Sequence, residues 1–125
     1  MGLKILIVED NPLNLQLARD ILELRGHEIE VAGDVAGGRE QLGRRQFDIV
    51  LLDLQIPGGG GGVLLREILA KPTLARTSVI AVTAQAMEGD REEAIAAGFD
   101  GYISKPINVR TFGAEVEACA EKRRV

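Results

Sequence analysis

The apolar residues of this 125-residue chain fall into short runs that are separated by longer amphipathic stretches. Two of the runs, residues 5–8 and 49–52, are apolar at every position, with no alternation of polar residues. Such uninterrupted runs are typical of strands that are covered on both faces, as in a parallel sheet. The pattern therefore predicts an α/β fold with helices on either side of a parallel sheet.

Strand-like and helix-like patterns alternate five times along the chain, and cap residues mark several helix boundaries. Asn11 followed by Pro12, and later Asp34, are typical helix starts, whereas Gly26 and Gly98 are typical helix stops. The predicted strands are residues 4–8, 28–32, 48–52, 79–82 and 101–103. The predicted helices are residues 12–24, 35–44, 63–70, 88–97 and a last helix capped by Asn108. Right-handed crossovers then give a doubly wound three-layer sandwich, and the length fits one domain over residues 1–125.

Composition and charge argue against several classes of protein. A hydrophobic fraction of 46% supports a folded core, and a formal net charge of −4 without a basic stripe argues against nucleic acid as a partner. No apolar run approaches the roughly 20 residues that span a bilayer, and the first strand begins too early for a signal peptide. We therefore expect a soluble, cytoplasmic protein without a membrane partner, and Met1 so close to the first strand favours a whole protein over an excised domain.

The chain contains one cysteine and one histidine. Cys119 has no partner for an internal disulfide, which fits a reducing compartment, and its place in a helical pattern predicts packing in the core. His27 follows the first helix, and no second histidine exists for a metal pair. We predict that His27 is a surface residue.

Charged side chains follow three of the predicted strands. Glu9 and Asp10 follow the first strand, Asp53 follows the third, and Lys105 follows the fifth. The carboxyl ends of parallel strands meet at one edge, where such sheets bind their ligands. Carboxylates that lie so close together repel and partly protonate, so the cluster calls for a divalent cation and suggests an aspartate that accepts a phosphoryl group. A single aspartate at a strand end more often caps the following turn, but that role explains the whole set poorly.

Four motifs at these strand ends resemble the receiver domains of bacterial two-component response regulators. They are Val8-Glu9-Asp10-Asn11, the segment from Leu52-Asp53 to Pro57, Val82-Thr83-Ala84 and Ser104-Lys105-Pro106, in order over essentially the whole chain. The likeness is greatest to single-domain receivers of the chemotaxis and cell-cycle kind and to receivers of hybrid histidine kinases. It implies a flavodoxin-like fold with five parallel strands in the order 2-1-3-4-5 and five helices.

The resemblance implies that Asp53 is the phosphoacceptor. Its donor would be a phosphohistidine on a sensor histidine kinase or a histidine phosphotransferase, which makes the chain a signalling domain that assists its own phosphorylation rather than an enzyme. Mg²⁺ would be bound by Asp10, by Asp53 and by the backbone carbonyl of Gln55, with Glu9 acting largely through water. Gln55 and Gln85 lie at positions where the family adjusts the lifetime of the phosphorylated state. Whether glutamine at these positions lengthens or shortens that lifetime stays open.

The remaining motif residues would bind the phosphate and report its presence. Lys105 would pair with the phosphate, and its peptide bond to Pro106 would be cis. Thr83 would donate a hydrogen bond to a phosphoryl oxygen, and Ala84 is as small as the family needs beside the phosphate. Tyr102 would move inward when Thr83 shifts, so the two form a two-state switch.

Two surfaces follow from the resemblance. The output surface, from Met87 to Ala120, would be read by a target protein that the sequence does not identify. The donor would dock on the first helix near Leu13 and Asn14 and on the loop after Pro106. Whether a separate protein reads the phosphorylated surface or the chain passes phosphate along a relay stays open.

Two other classes compete with this interpretation. A pseudo-receiver would bind partners without phosphorylation, but such domains usually lose one of Asp10, Asp53, Thr83 and Lys105. A small enzyme of the same architecture is disfavoured as well. A phosphatase with an aspartyl nucleophile would have a second acid in place of Gln55, and a nucleotide-binding protein would have a glycine-rich turn after the first strand.

The segment 58–62 departs from the family pattern because it consists of five glycines. The family usually has a hydrophobic and an acidic residue at the positions of Gly59 and Gly60, and only Gly61 matches. No Lys-Ser or Lys-Thr pair follows, so this is not a nucleotide-binding loop. Each extra glycine costs up to about 1 kcal/mol of helix stability, and we predict a loop that is more mobile than the core.

Overall fold

The computed structural model of the chain describes residues 2–84 and 89–124, and the side chains of these residues as far as Ala120. Five parallel strands form one sheet in the order β2-β1-β3-β4-β5, which confirms the predicted topology. The strands are β1 (Lys4–Val8), β2 (Glu28–Ala32), β3 (Ile49–Asp53), β4 (Ser78–Thr83) and β5 (Gly101–Ser104). The helices are α1 (Pro12–Leu24), α2 (Val35–Arg44), α3 (Gly61–Leu69), α4 (Asp90–Ala97) and α5 (Phe112–Arg124), with a short 3-10 helix at Pro72–Leu74.

The hydrophobic core lies in two layers, one on each face of the sheet. Every residue of β3 and β4 is buried, as the uninterrupted apolar runs predict. Alternate residues of β3 point to opposite faces: Val50 packs with α2 and α3, whereas Leu51 packs with α1 and α5. The sheet is therefore the middle layer of a three-layer sandwich. In the described part of the chain, no helix is long and apolar enough to cross a membrane.

The predicted caps of the first two helices are confirmed. The Asn11 side chain accepts hydrogen bonds from the backbone N–H groups of Leu13 (3.0 Å) and Asn14 (3.1 Å) at the start of α1. The Asp34 side chain accepts one from Gly37 (2.7 Å) at the start of α2. These bonds satisfy N–H groups that have no partner within the helix.

Several predicted boundaries are wrong. Strands β4 and β5 extend beyond the predicted residues 79–82 and 101–103, to Ser78–Thr83 and to Ser104, and α3 ends at Leu69 rather than at residue 70. Strand β3 includes Asp53 and begins at Ile49, one residue later than predicted. Helix α3 begins at Gly61 rather than at residue 63, because the buried apolar face of α3 outweighs the low helix propensity of glycine. Helix α5 begins at Phe112, and the Asn108 side chain instead accepts a hydrogen bond from Arg110 in the turn before it. The predicted start of the fourth helix, Glu88, lies outside the described residues.

The prediction for His27 is also wrong, because its side chain is only 4% exposed. The Leu3 N–H donates to Nδ1 of His27 (3.0 Å), and Nε2 lies 2.7 Å from the Glu117 carboxylate of α5. Arg25 binds the same carboxylate through two hydrogen bonds of 2.6 and 2.7 Å. These bonds lower the pKa of Glu117 to about 2, chiefly through Arg25. The partner of His27 is 90 residues away, so no local pattern could predict it. Cys119, on the same helix as Glu117, packs against the core as predicted.

Candidate functional site

Three carboxylates meet at the carboxyl edge of the sheet. Glu9 and Asp10 follow β1, and Asp53 ends β3, the neighbouring strand, in which Leu52 lies opposite Val8. Carboxylate oxygens of Glu9, Asp10 and Asp53 lie within 4.8 Å of one another, with Glu9 and Asp53 buried and Asp10 exposed. Hard oxygen ligands this close together, with one side open to water, can hold a divalent cation.

Lys105 brings a positive charge to the same edge. Its backbone N–H donates to the Thr83 carbonyl (2.8 Å), which places it at the ends of β4 and β5, and its bond to Pro106 is cis, as the resemblance implies. Its ammonium lies 2.8 Å from Oδ2 of Asp53 and also contacts Oε1 of Glu9. Three carboxylates and one ammonium leave two negative charges, which matches the charge of one divalent cation.

The neighbouring charges shift the pKa values of this cluster in different directions. Burial raises the pKa of Glu9, and the Asp53 carboxylate adds to the rise although Lys105 opposes it. Burial also acts to raise the pKa of Asp53, but hydrogen bonds from Lys105 and from the Gln55 amide outweigh it, so the pKa lies below its usual value. Burial acts to lower the pKa of Lys105, but Asp53 and Glu9 together raise it. The surroundings of Asp53 therefore favour its ionised form more strongly than those of Glu9 do.

The other predicted site residues surround this cluster. Thr83 is the buried last residue of β4 and pairs with Ser104 in β5, and the exposed Ala84 follows it. Tyr102 in β5 is half-buried against the core, and burial together with Asp90 raises its pKa. The Gln55 N–H donates to Oδ1 of Asp53 (2.9 Å). Gln85 lies outside the described residues.

One feature of the site is missed by the sequence-based prediction. The amides of Gly60 and Gly61 donate to the carbonyls of Ile56 (3.2 Å) and Leu54 (3.1 Å), so the glycine segment is hydrogen-bonded to the turn that follows the phosphoacceptor candidate. A Cβ on Gly61 would lie 2.7 Å from the carbonyl oxygen of Asp53, so only glycine fits there. The run of glycines in the sequence could have indicated this contact, since glycine is the residue that permits one backbone segment to approach another closely.

The strand order and the three layers define the flavodoxin-like class of α/β proteins. Comparison with known proteins narrows this class. The family model of the response regulator receiver domain matches residues 5–117. The polar-differentiation response regulator DivK of Brucella anthropi is 37% identical over 112 residues, which cover 90% of this chain and 91% of that protein.

Two solved structures are similar over nearly the full length of both chains. A CheY-like response regulator receiver domain protein from Methanospirillum hungatei has a TM-score of 0.86 at 28% identity, covering 99% of this chain and 98% of that one. The receiver domain of a sensor histidine kinase from Pseudomonas aeruginosa has a TM-score of 0.86 at 30% identity, covering 97% of this chain and 99% of that one. That structure has a magnesium ion coordinated in its active site cleft. This chain belongs to the response regulator receiver domain family, and it is a receiver domain of two-component signalling.

Proposed function

We propose that this chain is a phosphoacceptor in a two-component phosphorelay and that Asp53 receives the phosphoryl group. The donor would be a phosphohistidine on a sensor histidine kinase or a histidine phosphotransferase. The observation that carries this proposal is the convergence of the Glu9, Asp10 and Asp53 carboxylates within 4.8 Å, with Lys105 bound to two of them. Membership of the receiver family supports it.

The chemistry follows from the environment of Asp53. A carboxylate oxygen of Asp53 attacks the phosphorus atom, a P–O bond forms, and the P–N bond breaks with its electron pair moving to the imidazole of the donor. A pKa below the usual value keeps this nucleophile ionised. Lys105 then pairs with oxygens of the new acyl phosphate. The domain thus assists its own phosphorylation and does not act as an enzyme on a separate substrate.

The acidic cluster fits Mg²⁺ as cofactor. Asp10 and Asp53 would hold the ion directly together with the backbone carbonyl of Gln55, and Glu9 would act largely through water. When bound, Mg²⁺ neutralises charge on the nucleophile and on the phosphoryl oxygens. Two uncompensated negative charges at the edge are the feature of this chain that supports such an ion.

The phosphorylated state would be reported through Thr83 and Tyr102. Thr83 would be drawn to the phosphoryl oxygen beside the small Ala84, and Tyr102 would move from its half-buried position into the space that Thr83 leaves. This movement would change the output surface, Met87 to Ala120, of which residues 87 and 88 lie outside the described part. A target protein that remains to be identified would bind there.

The donor would dock where apolar residues are exposed near the site. Leu13 at the start of α1 is 82% exposed, and Val109 in the loop after Pro106 is 60% exposed. Contiguous apolar patches mark protein-binding surfaces, and in this proposal Leu13 and Val109 contribute to one. We place this exchange in the cytoplasm, because a lone cysteine fits a reducing compartment.

Intact mass spectrometry after incubation with acetyl phosphate tests this function. We expect one phosphoryl group on the wild-type protein in the presence of Mg²⁺, and none without Mg²⁺ or in Asp53→Asn. Failure to form the adduct, together with unchanged NMR signals of Thr83 and Tyr102 in beryllofluoride and Mg²⁺, would contradict it. The chain would then be a pseudo-receiver that binds partners without phosphorylation.

A further inference from the structure

The loop between β3 and α3 has a backbone conformation that only glycine adopts readily. Gly58, Gly59 and Gly60 have φ angles of +102°, +113° and +87°. An L-residue at such angles brings its Cβ too close to its own backbone. A Cβ on Gly60 would also lie 3.1 Å from the Leu54 carbonyl oxygen. The observed path of this loop therefore depends on the three glycines.

The end of this loop is hydrogen-bonded to both neighbours of Gln55. The Gly60 amide donates to the carbonyl of Ile56 (3.2 Å), and the Gly61 amide donates to the carbonyl of Leu54 (3.1 Å). The N–H of Gln55 itself donates to Oδ1 of Asp53 (2.9 Å). The Gln55 carbonyl, by contrast, accepts no hydrogen bond from any residue in the described part of the chain. Three hydrogen bonds thus hold the turn formed by residues 54–56, and the carbonyl oxygen of Gln55 is left able to bind a cation.

We propose that Gly60 is a positioning residue that holds the Gln55 carbonyl in place for the divalent cation. This inference rests on the proposed function, in which that carbonyl is a Mg²⁺ ligand. Gly60 acts through Ile56, because the Gly60 amide donates a hydrogen bond to the carbonyl of Ile56, the residue that follows Gln55. The chain thereby uses backbone bonds of a glycine segment where its family usually has side chains at the positions of Gly59 and Gly60.

Replacement of Gly60 by alanine provides the test. Alanine disfavours φ near +87°, so only a fraction of Gly60→Ala molecules would keep the loop in its present path. The apparent dissociation constant rises in inverse proportion to that fraction. We expect Mg²⁺ to bind about 5- to 150-fold more weakly than to the wild type, the range that follows from a cost of about 1–3 kcal/mol for an L-residue at the φ of 87° and ψ of 168° of Gly60.

The measurement is a Mg²⁺ titration followed through the amide NMR signals of Asp10 and Asp53. Gly62→Ala is the matched control, because Gly62 lies two residues away within α3 and a Cβ there meets nothing within 4 Å. The control should bind Mg²⁺ as tightly as the wild type. Unfolding of each metal-free variant is measured in parallel, since a purely structural role of Gly60 would lower stability and leave the Mg²⁺ affinity unchanged.

The possible outcomes separate this inference from the proposed function. Equal Mg²⁺ affinity of Gly60→Ala and the wild type would overturn the positioning role alone. A wild-type protein that binds no Mg²⁺ would overturn the metal site in the proposed function, and the positioning role with it. If Gly60→Ala does not fold, Gly59→Ala replaces it, because its φ of +113° imposes the same constraint and its Cβ meets only the Val63 side chain. Unchanged Mg²⁺ affinity in that variant would count equally against the inference.

Discussion

The ammonium of Lys105 lies 2.8 Å from Oδ2 of Asp53, so the two residues form a largely buried ion pair at the carboxyl edge of the sheet. The same ammonium contacts Glu9, and the Lys105 side chain is only 12% exposed. Lys105 is thus a positive charge that holds two buried carboxylates together. After the proposed transfer, it would lie close enough to pair with the phosphoryl oxygens instead.

Removal of the Lys105 charge should destabilise the metal-free protein. In Lys105→Met, two buried carboxylates lose their partner, and we expect the free energy of unfolding to fall by about 2–4 kcal/mol. Added Mg²⁺ should restore part of this loss, because a cation then replaces the missing charge. Urea unfolding with and without Mg²⁺ measures both effects, with Lys105→Arg as the charge-conserving control. Equal stability of Lys105→Met and the wild type without Mg²⁺ would show that the ion pair is not important for the fold.

The Glu117 carboxylate should make the protein sensitive to acid. Its pKa is lowered from 4.5 to about 2 by Arg25 and His27, so its contribution to stability is fully present above pH 4.5 and is lost as the pH falls towards 2. Because the Glu117 side chain is 31% exposed, we expect Glu117→Gln to cost only about 1–2 kcal/mol at pH 7. The difference from the wild type should shrink between pH 4.5 and pH 2, as unfolding curves at several pH values would show. A difference that stays constant over this range would contradict the ionised pairing.

Two glycines of α2 should respond in opposite ways to alanine. A Cβ on Gly43 meets nothing within 4 Å, whereas a Cβ on Gly38 would lie 2.7 Å from Cδ2 of Leu64 and 3.3 Å from Cγ2 of Val8. Gly43→Ala should gain about 0.5 kcal/mol from helix propensity. Gly38→Ala should lose about 1 kcal/mol, because crowding in the core exceeds that gain. Thermal unfolding of the two variants checks this order, and a more stable Gly38→Ala would refute the tight contact between α2, α3 and β1.

Two leucines of α1 offer a matched test of the donor surface. Leu13 and Leu24 are 82% and 89% exposed, but Leu13 lies at the end of α1 next to the acidic cluster and Leu24 at the opposite end. Leu13→Ala should slow phosphoryl transfer from a histidine phosphotransferase by about 5- to 10-fold, the usual effect of losing an apolar contact of 1 kcal/mol or more. Leu24→Ala should transfer at the wild-type rate, and both variants should accept phosphate from acetyl phosphate normally. Equal transfer rates in the two variants would place the donor elsewhere.

Much of the fold could be predicted because the strands are buried on both faces. Continuous apolar runs located β1 and β3 to within one residue, and short-range caps located α1 and α2. Charged residues at the strand ends could be assigned to one edge, since parallel strands bring their carboxyl ends together. The sequence therefore predicted the cluster of Glu9, Asp10, Asp53 and Lys105 before the structure showed it.

The features that were missed depend on contacts between distant segments. His27 is buried because α5 supplies Glu117, and α3 begins early because its apolar face packs on the sheet. The positive φ angles of Gly58, Gly59 and Gly60 could not be read from composition, which suggested only flexibility. The greater mobility of residues 58–62 stays a prediction, and amide order parameters equal to those of β3 would contradict it.

The most direct test of the central claim is to locate the phosphorylated residue chemically. The protein would be phosphorylated by a histidine phosphotransferase in the presence of Mg²⁺ and then reduced with borohydride, which converts an aspartyl phosphate to homoserine. Peptide mass spectrometry should find homoserine at position 53, with Glu9 and Asp10 unmodified. A modified Glu9 or Asp10, or an unmodified Asp53 after the donor has lost its phosphate, would contradict the assignment of Asp53 as phosphoacceptor.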